Sequence, residues 1–229
     1  MIITAKGISK SYKRGKGGKG LVQVLSDTDL SIEGGKVYVI YGRSGSGKST
    51  LMNILAGLLS PSSGSVSYDG RDIYSLSDCE LSALRCLSVG YIPQMHSAVG
   101  TLTVRENILL PSAVSKKPVD SARADELITR LGLTELADVR ANVLSGGELR
   151  RLSLARALVN SPSVIFADEP TNDLDDESAK LVVQMLHASA QAGAAVVIVT
   201  HELFVRDGAD VLYFVHNKSL VREKGQICS

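Results

Sequence analysis

At 229 residues, with 44% hydrophobic and 21% charged side chains, the chain suits one large domain, or a core with an inserted lobe, and is not of disordered composition. A formal net charge of +1, 4% aromatic residues and no Trp argue against a broad nucleic-acid surface or a base-stacking platform. No apolar run approaches the ~20 residues that cross a bilayer, and the start, MIITAKGISK, lacks a signal peptide's apolar region. Cys79, Cys86 and Cys228 have no metal-site spacing and are too few for a disulfide framework, so they read as reduced thiols in a cytosolic protein.

Alternating apolar positions predict strands over residues 1–8 and 21–33 (Val22, Val24, Leu30, Ile32). Between them KRGKGGKG reads as a solvated hairpin loop in preference to an anion or lipid-headgroup contact. Tyr12, just before it, is on its own no more than a strand residue. A short apolar run, Val37 to Tyr41, then stops at Gly42, and a helical pattern (Leu51, Ile54, Leu55, Leu58) starts soon after. Turn chemistry at Ser60–Gly64 is followed by a predicted hairpin, SVSYDGRDI, with Asp69-Gly70 as its turn. Residues 77–87 suggest a helix and 87–94 a strand ending at Gln94.

After Gln94 the pattern changes. Thr103 and Glu106 form a T-x-x-E capping box opening a helix through Leu110. A second amphipathic stretch (Ala124, Leu127, Ile128, Leu131) ends at Gly132, so residues ~95–145 read as a small helical lobe inserted in an α/β body. A long amphipathic helix begins at Leu144-Ser145-Gly146-Gly147-Glu148. Strand and helix then alternate: a buried strand over 163–167, a helix over roughly 176–191 and a buried strand over 194–200. His187 reads as a helix-surface or packing residue. The last strands, 210–215 and 219–224, form a hairpin around His216-Asn217.

Between the strand ending at Tyr41 and its following helix, Gly42, Gly47, Lys48 and Ser49 match G-x-x-x-x-G-K-[ST]. Glycines let the backbone curl until successive N–H groups face one anion, and the new helix aims its positive end at the same point. Lys48 would reach the β- and γ-phosphates and the Ser49 hydroxyl would sit on Mg²⁺. Open α/β sheets bind ligands at the carboxyl ends of their strands, where Asp168, Glu169 and His201 also fall. Asp168 has the position of an acid that holds Mg²⁺, and Glu169 that of a base that orients water and takes its proton. Adjacent acids also cap ordinary strands, and a histidine after a strand suits packing or chemistry alike. Ser145 with two glycines at a helix start is either a second anion site or an ordinary N-cap. Two phosphate-grade sites in one chain suggest ATP shared between two copies.

With these motifs in order, the sequence resembles the ATP-binding cassette (ABC) ATPases over nearly its whole length. GRSGSGKST (Gly42, Arg43, Ser44, Gly45, Ser46, Gly47, Lys48, Ser49, Thr50) resembles the Walker A motif, Gln94 the Q-loop glutamine, and LSGGE (Ser145, Gly146, Gly147, Glu148) the signature. VIFADE resembles Walker B with its catalytic glutamate, Thr171–Asp175 the D-loop, and His201 the switch histidine; Tyr12 falls where the family stacks an aromatic on adenine. The resemblance implies a single ABC domain over 1–229. Its P-loop NTPase core has a mixed, mainly parallel sheet and an N-terminal antiparallel β subdomain (1–94 and 146–229), with the helical lobe inserted. It implies a head-to-tail homodimer in which LSGGE of one subunit closes over ATP on Walker A of the other. Glu169 would be general base, His201 γ-phosphate sensor, and Gln94 a Mg²⁺ and water contact beside a separate membrane permease.

Within the family, DIYSLSDCELSALR and LTVRENILLP are similar to the macrolide-export and lipoprotein-release branch, whose cassettes drive mechanical motion of an extracytoplasmic domain. Two stretches differ from that branch: Met95-His96-Ser97-Ala98 replaces an aromatic-rich segment, and Thr171-Asn172-Asp173-Leu174-Asp175 replaces T-G-N-L-D. The expectation is a cytoplasmic ATPase subunit, peripheral on the membrane through its permease and without a nucleic-acid partner. Two other readings are a soluble ABC protein acting on ribosomes or DNA, and a nucleotide-gated regulatory module. The first usually needs two cassettes or long coiled coils, and the second often lacks the acid at Glu169. No N-K-x-D motif is present to read guanine.

Overall fold

The computed structural model describes residues 1–14, 20–95, 97–115 and 120–223. Most of the KRGKGGKG loop, His96, Cys228 and the expected end of the last strand at Lys224 lie outside them.

Two sheets stack. Strands β1 (Ile2–Arg14), β2 (Gly20–Glu33), β4 (Ser63–Tyr68) and β5 (Arg71–Asp72) form an antiparallel sheet in the order β2-β1-β4-β5. The second sheet has the order β10-β9-β3-β8-β7-β6, using β3 (Val37–Tyr41), β6 (Val89–Ile92), β7 (Val164–Asp168), β8 (Ala195–Val199), β9 (Val211–His216) and β10 (Ser219–Arg222). Its pairings are parallel except β9–β10.

The continuous apolar strands reflect burial on both faces. Val39, Ile165 and Ile198 face a core shared with α3 (Val104–Ser115), α4 (Ser121–Arg130), α5 (Gly146–Leu158) and α6 (Asp176–Gln191). Their neighbours Ile40, Phe166 and Val197 face the other way, against α1 (Lys48–Leu55) and the antiparallel sheet. Helix α2 (Asp78–Ser88) starts at a Ser77–Glu80 capping box and leads into β6.

Several expectations need correction. β1 runs to Arg14, not to residue 8, because register shifts between Ala5 and Ser11 break the period-2 signal on which a strand is read. Helix α3 continues past Leu110 through Pro111 to Ser115; packing of α3 on α5 outweighs the one backbone bond that proline removes. Helix α5 is buried on nearly every side, not amphipathic. A short helix, α7 (Leu203–Asp207), has no counterpart in the sequence pattern, since five residues carry no readable period. The last hairpin turns on Asn217-Lys218, both at positive φ (48° and 69°), with His216 paired to Ser219. The Thr103–Glu106 capping box is present, with the Thr103 N–H donating to Glu106 Oε2 at 2.8 Å. Cys79 and Cys86 are free thiols. His187 is half-buried and backs onto Gly208, where a Cβ would lie 2.9 Å from its Nε2.

Candidate active site

The strand order sets the carboxyl ends of β3, β8, β7 and β6 side by side, and these ends carry Gly42, His201, Asp168-Glu169 and Gln94 respectively. The loop after β3 is wound through positive φ at Gly42 (151°), Gly45 (74°) and Gly47 (101°). At Gly47 a side chain has no room: a Cβ would lie 3.0 Å from both Cγ1 and the carbonyl oxygen of Val24. Gly47 also N-caps α1 without a side-chain cap, so the helix's first N–H groups are left to an anion. Lys48 is buried, and its Nζ donates to the carbonyls of Gly42 (2.9 Å) and Arg43 (3.0 Å), spanning the loop from inside. Arg43, Ser44 and Gly45 form the exposed rim, while Ser46, Ser49 and Thr50 are half-buried.

Asp168 is 3% exposed, and its Oδ1 is buried without a hydrogen-bond partner. Burial pushes its carboxyl above the usual range; the Ser49 hydroxyl opposes this, adjacent Glu169 adds to it, and Lys48 and Arg150 also pull it down. A hard divalent cation resolves this conflict, since it takes oxygen ligands and supplies the missing charge. The residues present therefore fit Mg²⁺ with Ser49 and Asp168 as protein ligands. Among the described residues no cluster of three His, Cys, Asp or Glu side chains forms an all-protein metal site.

Glu169 sits at φ 47°, a left-handed conformation that costs a non-glycine residue about 1–3 kcal/mol and clusters at functional sites. Its N–H donates to Val199 O at 2.8 Å, holding it against β8. His201 Nδ1 lies 3.1 Å from both carboxylate oxygens of Glu169; because a carboxylate only accepts, that proton belongs on Nδ1. The imidazole itself is largely exposed. Thr171 Oγ1 donates to Glu202 at 2.8 Å, and the Glu202 N–H donates to Thr200 Oγ1, so the acid loop and the histidine loop are fastened together.

Tyr12 is 42% exposed, opposite Val22 in the β1–β2 arm, with Lys10 Nζ 5.4 Å from its ring centroid. Val24 and Leu25, just along the strand from Val22, both pack on Gly47, so this arm overlies the phosphate loop. Gln94 is exposed just beyond β6. The signature residues are placed differently. Ser145 and Glu148 form a reciprocal capping box: the Ser145 N–H donates to Glu148 Oε2 at 2.7 Å, and the Glu148 N–H to Ser145 Oγ. These bonds hold the Glu148 carboxyl below its usual range. The helix they open, α5, packs on the opposite face of the parallel sheet from α1. One chain thus gathers Gly42–Thr50, Asp168, Glu169 and His201, but sets Ser145–Glu148 apart from them.

The Thr171–Glu202 bond and the contacts of two arginines of α5 carry no signal in the sequence. Arg150, 2% exposed, donates from Nη1 to Pro93 O and from Nη2 to Gln94 O, each at 2.7 Å. Arg156 donates to the carbonyl and hydroxyl of Ser97. Nothing in LRRLSLAR distinguishes a buried arginine from an exposed one.

The ABC transporter family model matches residues 25–172. Among curated relatives, the chain is 41% identical over 201 residues to a macrolide export ATP-binding/permease protein MacB of Bdellovibrio bacteriovorus, covering 88% of this chain and 30% of that one. It is 35% identical over 227 residues to the lipoprotein-releasing system ATP-binding protein LolD of Idiomarina loihiensis, covering 98% of each. The chain thus spans about a third of the MacB relatives and nearly all of the LolD ones. Among solved structures, the dimeric post-hydrolysis state of the ATP-binding cassette MJ0796 bound to ADP and Pi aligns with a TM-score of 0.89 at 30% identity, covering 97% of this chain and 99% of that one.

Proposed function

Because the chain belongs to the ABC transporter ATPase family, we propose that it is an ATP-hydrolysing cassette that works as a head-to-tail pair and drives a separate membrane permease. The observation that carries this reading is the Glu169–His201 pair, 3.1 Å apart, at the strand ends that also present Lys48 and Asp168. ATP would lie with its phosphates in the Gly42–Thr50 loop, Lys48 exchanging its loop carbonyls for phosphate oxygens. Its adenine would lie on Tyr12. Mg²⁺ would be held by Ser49 and Asp168, with Gln94 as a further contact, and bound there it neutralises charge on the phosphates.

Glu169 orients the attacking water and accepts its proton at a carboxylate oxygen. Its strained backbone and its N–H bond to Val199 fix the direction of that oxygen before substrate arrives. His201 holds the carboxylate from the other side, and its exposed ring can turn toward a γ-phosphate. Ser145, Gly146 and Gly147 would close over the nucleotide of a second copy, which accounts for their separation from the phosphate loop of their own chain.

The permease partner is supported by the near-complete alignment with a lipoprotein-releasing ATP-binding protein. It is also supported by a cavity of about 330 Å³ lined by Leu58, Arg85, Tyr91, Pro111, Val114 and Arg156, next to the segment after Gln94. Among the described residues no helix is long and apolar enough to cross a membrane. Such a cassette would be cytoplasmic and membrane-peripheral. The test is ATP hydrolysis by the purified chain, followed by recovery of a membrane protein when tagged cassette is isolated from detergent-solubilised membranes. Failure to release phosphate under any Mg²⁺ or ATP concentration would remove the enzymatic reading.

A further inference from the structure

Arg150 is the largest of the fully buried side chains, and burying a guanidinium is costly unless its donors are met. Here two of them are met by main-chain carbonyls of consecutive residues, Pro93 and Gln94, while Nε has no partner. The nearby acids, Asp173, Asp168 and Glu169, lie beyond ion-pairing distance and act on it through space. An apolar side chain of similar volume would leave those two carbonyls unanswered and remove a charge that helps hold the Asp168 carboxyl down. What the guanidinium supplies is direction: a planar fork that fixes two carbonyls at once. Six residues further along the same helix, Arg156 takes Ser97, so α5 grips the chain on both sides of Gln94.

We infer that Arg150 is a positioning residue for ATP hydrolysis. It ties the backbone of Gln94 to the helix that begins at Ser145, so that the glutamine side chain is aimed at the metal side of the phosphate site. This rests on the ATPase reading and extends it to a residue that touches neither nucleotide nor metal. It also means that the glutamine loop and the signature serine move as one body. A shift of α5 that brings Ser145 to a second copy's nucleotide would carry Gln94 of its own chain with it.

The experiment compares wild type, Arg150→Met, Gln94→Ala and the double variant, as purified cassettes. The readouts are kcat, KM for ATP, half-saturating Mg²⁺, and the ¹³C shifts of the Pro93 and Gln94 carbonyls, the two groups that Arg150 holds. Arg150→Met is expected to lower kcat about tenfold, the scale of a catalytic contact misplaced by a fraction of an ångström, and to raise half-saturating Mg²⁺. Nucleotide affinity without Mg²⁺ should stay within about threefold, since the phosphate loop is untouched. Both carbonyl shifts should move away from their wild-type positions as the guanidinium bonds are lost. In the Gln94→Ala background, Arg150→Met should cost nothing more, because its target is gone.

An equal loss in both backgrounds would assign Arg150 a general structural role and overturn the inference while leaving the ATPase reading in place. So would unchanged kcat and Mg²⁺ dependence in folded Arg150→Met. If Arg150→Met does not fold, Arg150→Lys decides by the same comparison: it keeps the charge and reaches one carbonyl, so a smaller loss is expected, again absent with Gln94→Ala. A wild-type chain that releases no phosphate would instead refute the ATPase reading, and the hydrolytic role of Arg150 with it; the Pro93 and Gln94 carbonyl shifts would separate that result from a clamp that does not exist.

Discussion

Glu169→Gln is the sharpest test of the site, because it removes the base and little else. Glutamine has the same shape, so the left-handed backbone at φ 47° and the N–H bond to Val199 survive unchanged. Its amide oxygen can still accept from His201 Nδ1, which now lies 3.1 Å from each carboxylate oxygen. What is lost is proton-accepting capacity. A positioned general base contributes at least ~10²-fold, equivalent to about 2.7 kcal/mol of transition-state stabilisation. Steady-state phosphate release at saturating Mg²⁺ and ATP should therefore fall by that factor or more, while nucleotide affinity stays within about threefold. Folding should not suffer. Glu169 adds to the upward push on the Asp168 carboxyl, so neutralising it relieves a buried repulsion, and the melting temperature should hold or rise. Turnover within threefold of wild type in the folded variant would refute Glu169 as the base.

Other expectations follow from the same geometry. Lys48→Ala removes the one buried cation inside the phosphate loop, so nucleotide affinity should fall by about 10²-fold or more by titration with a fluorescent analogue; unchanged affinity would mean that ATP binds elsewhere. Asp168→Asn should trade hydrolysis for stability. A carboxyl raised by folding holds its proton longer in the native state, so its contribution is fully present below the unfolded value near 3.9 and is lost as pH rises through the higher folded one. The stabilisation by asparagine should thus be larger at pH 7 than at pH 4 in paired thermal melts, and the reverse order would contradict the burial described. Gly90→Ala places a Cβ 2.6 Å from Ala157 O and 3.0 Å from Pro162 Cγ, which should destabilise by about 1–3 kcal/mol in denaturant titration.

Much of this was legible in the chain itself. The phosphate loop, the acids at the end of β7 and the histidine after β8 lie at abrupt ends of continuous apolar runs, so the sequence marks both the strands and the sheet edge they share. Local hydrogen-bond chemistry was legible in part: the Thr103–Glu106 box stands where its spacing placed it, while Ser145, read as an anion site or an ordinary N-cap, caps its helix in a reciprocal box with Glu148. Less legible were features whose cause lies elsewhere in the chain. The outer half of β1 is polar and bulged and is held by backbone pairing to β2, which leaves no side-chain period. The burial of Arg150 depends on β6 passing alongside α5, and the Thr171–Glu202 bond joins residues 31 positions apart. Helix α3 crosses Pro111 because tertiary packing outweighs a local rule.

The placement of Ser145 and Lys48 on helices at opposite faces of one sheet has a genetic consequence. If each nucleotide is enclosed by the loop of one copy and the signature of another, every chain takes part in two sites, and a defective chain spoils one site of any partner it joins. Alleles altered in either element would then be partly dominant over the unaltered one. Two different alleles could nevertheless rescue each other. In a mixed pair of Lys48→Ala and Ser145→Arg chains, both lesions fall in the same composite site, and the other is assembled entirely from sound parts.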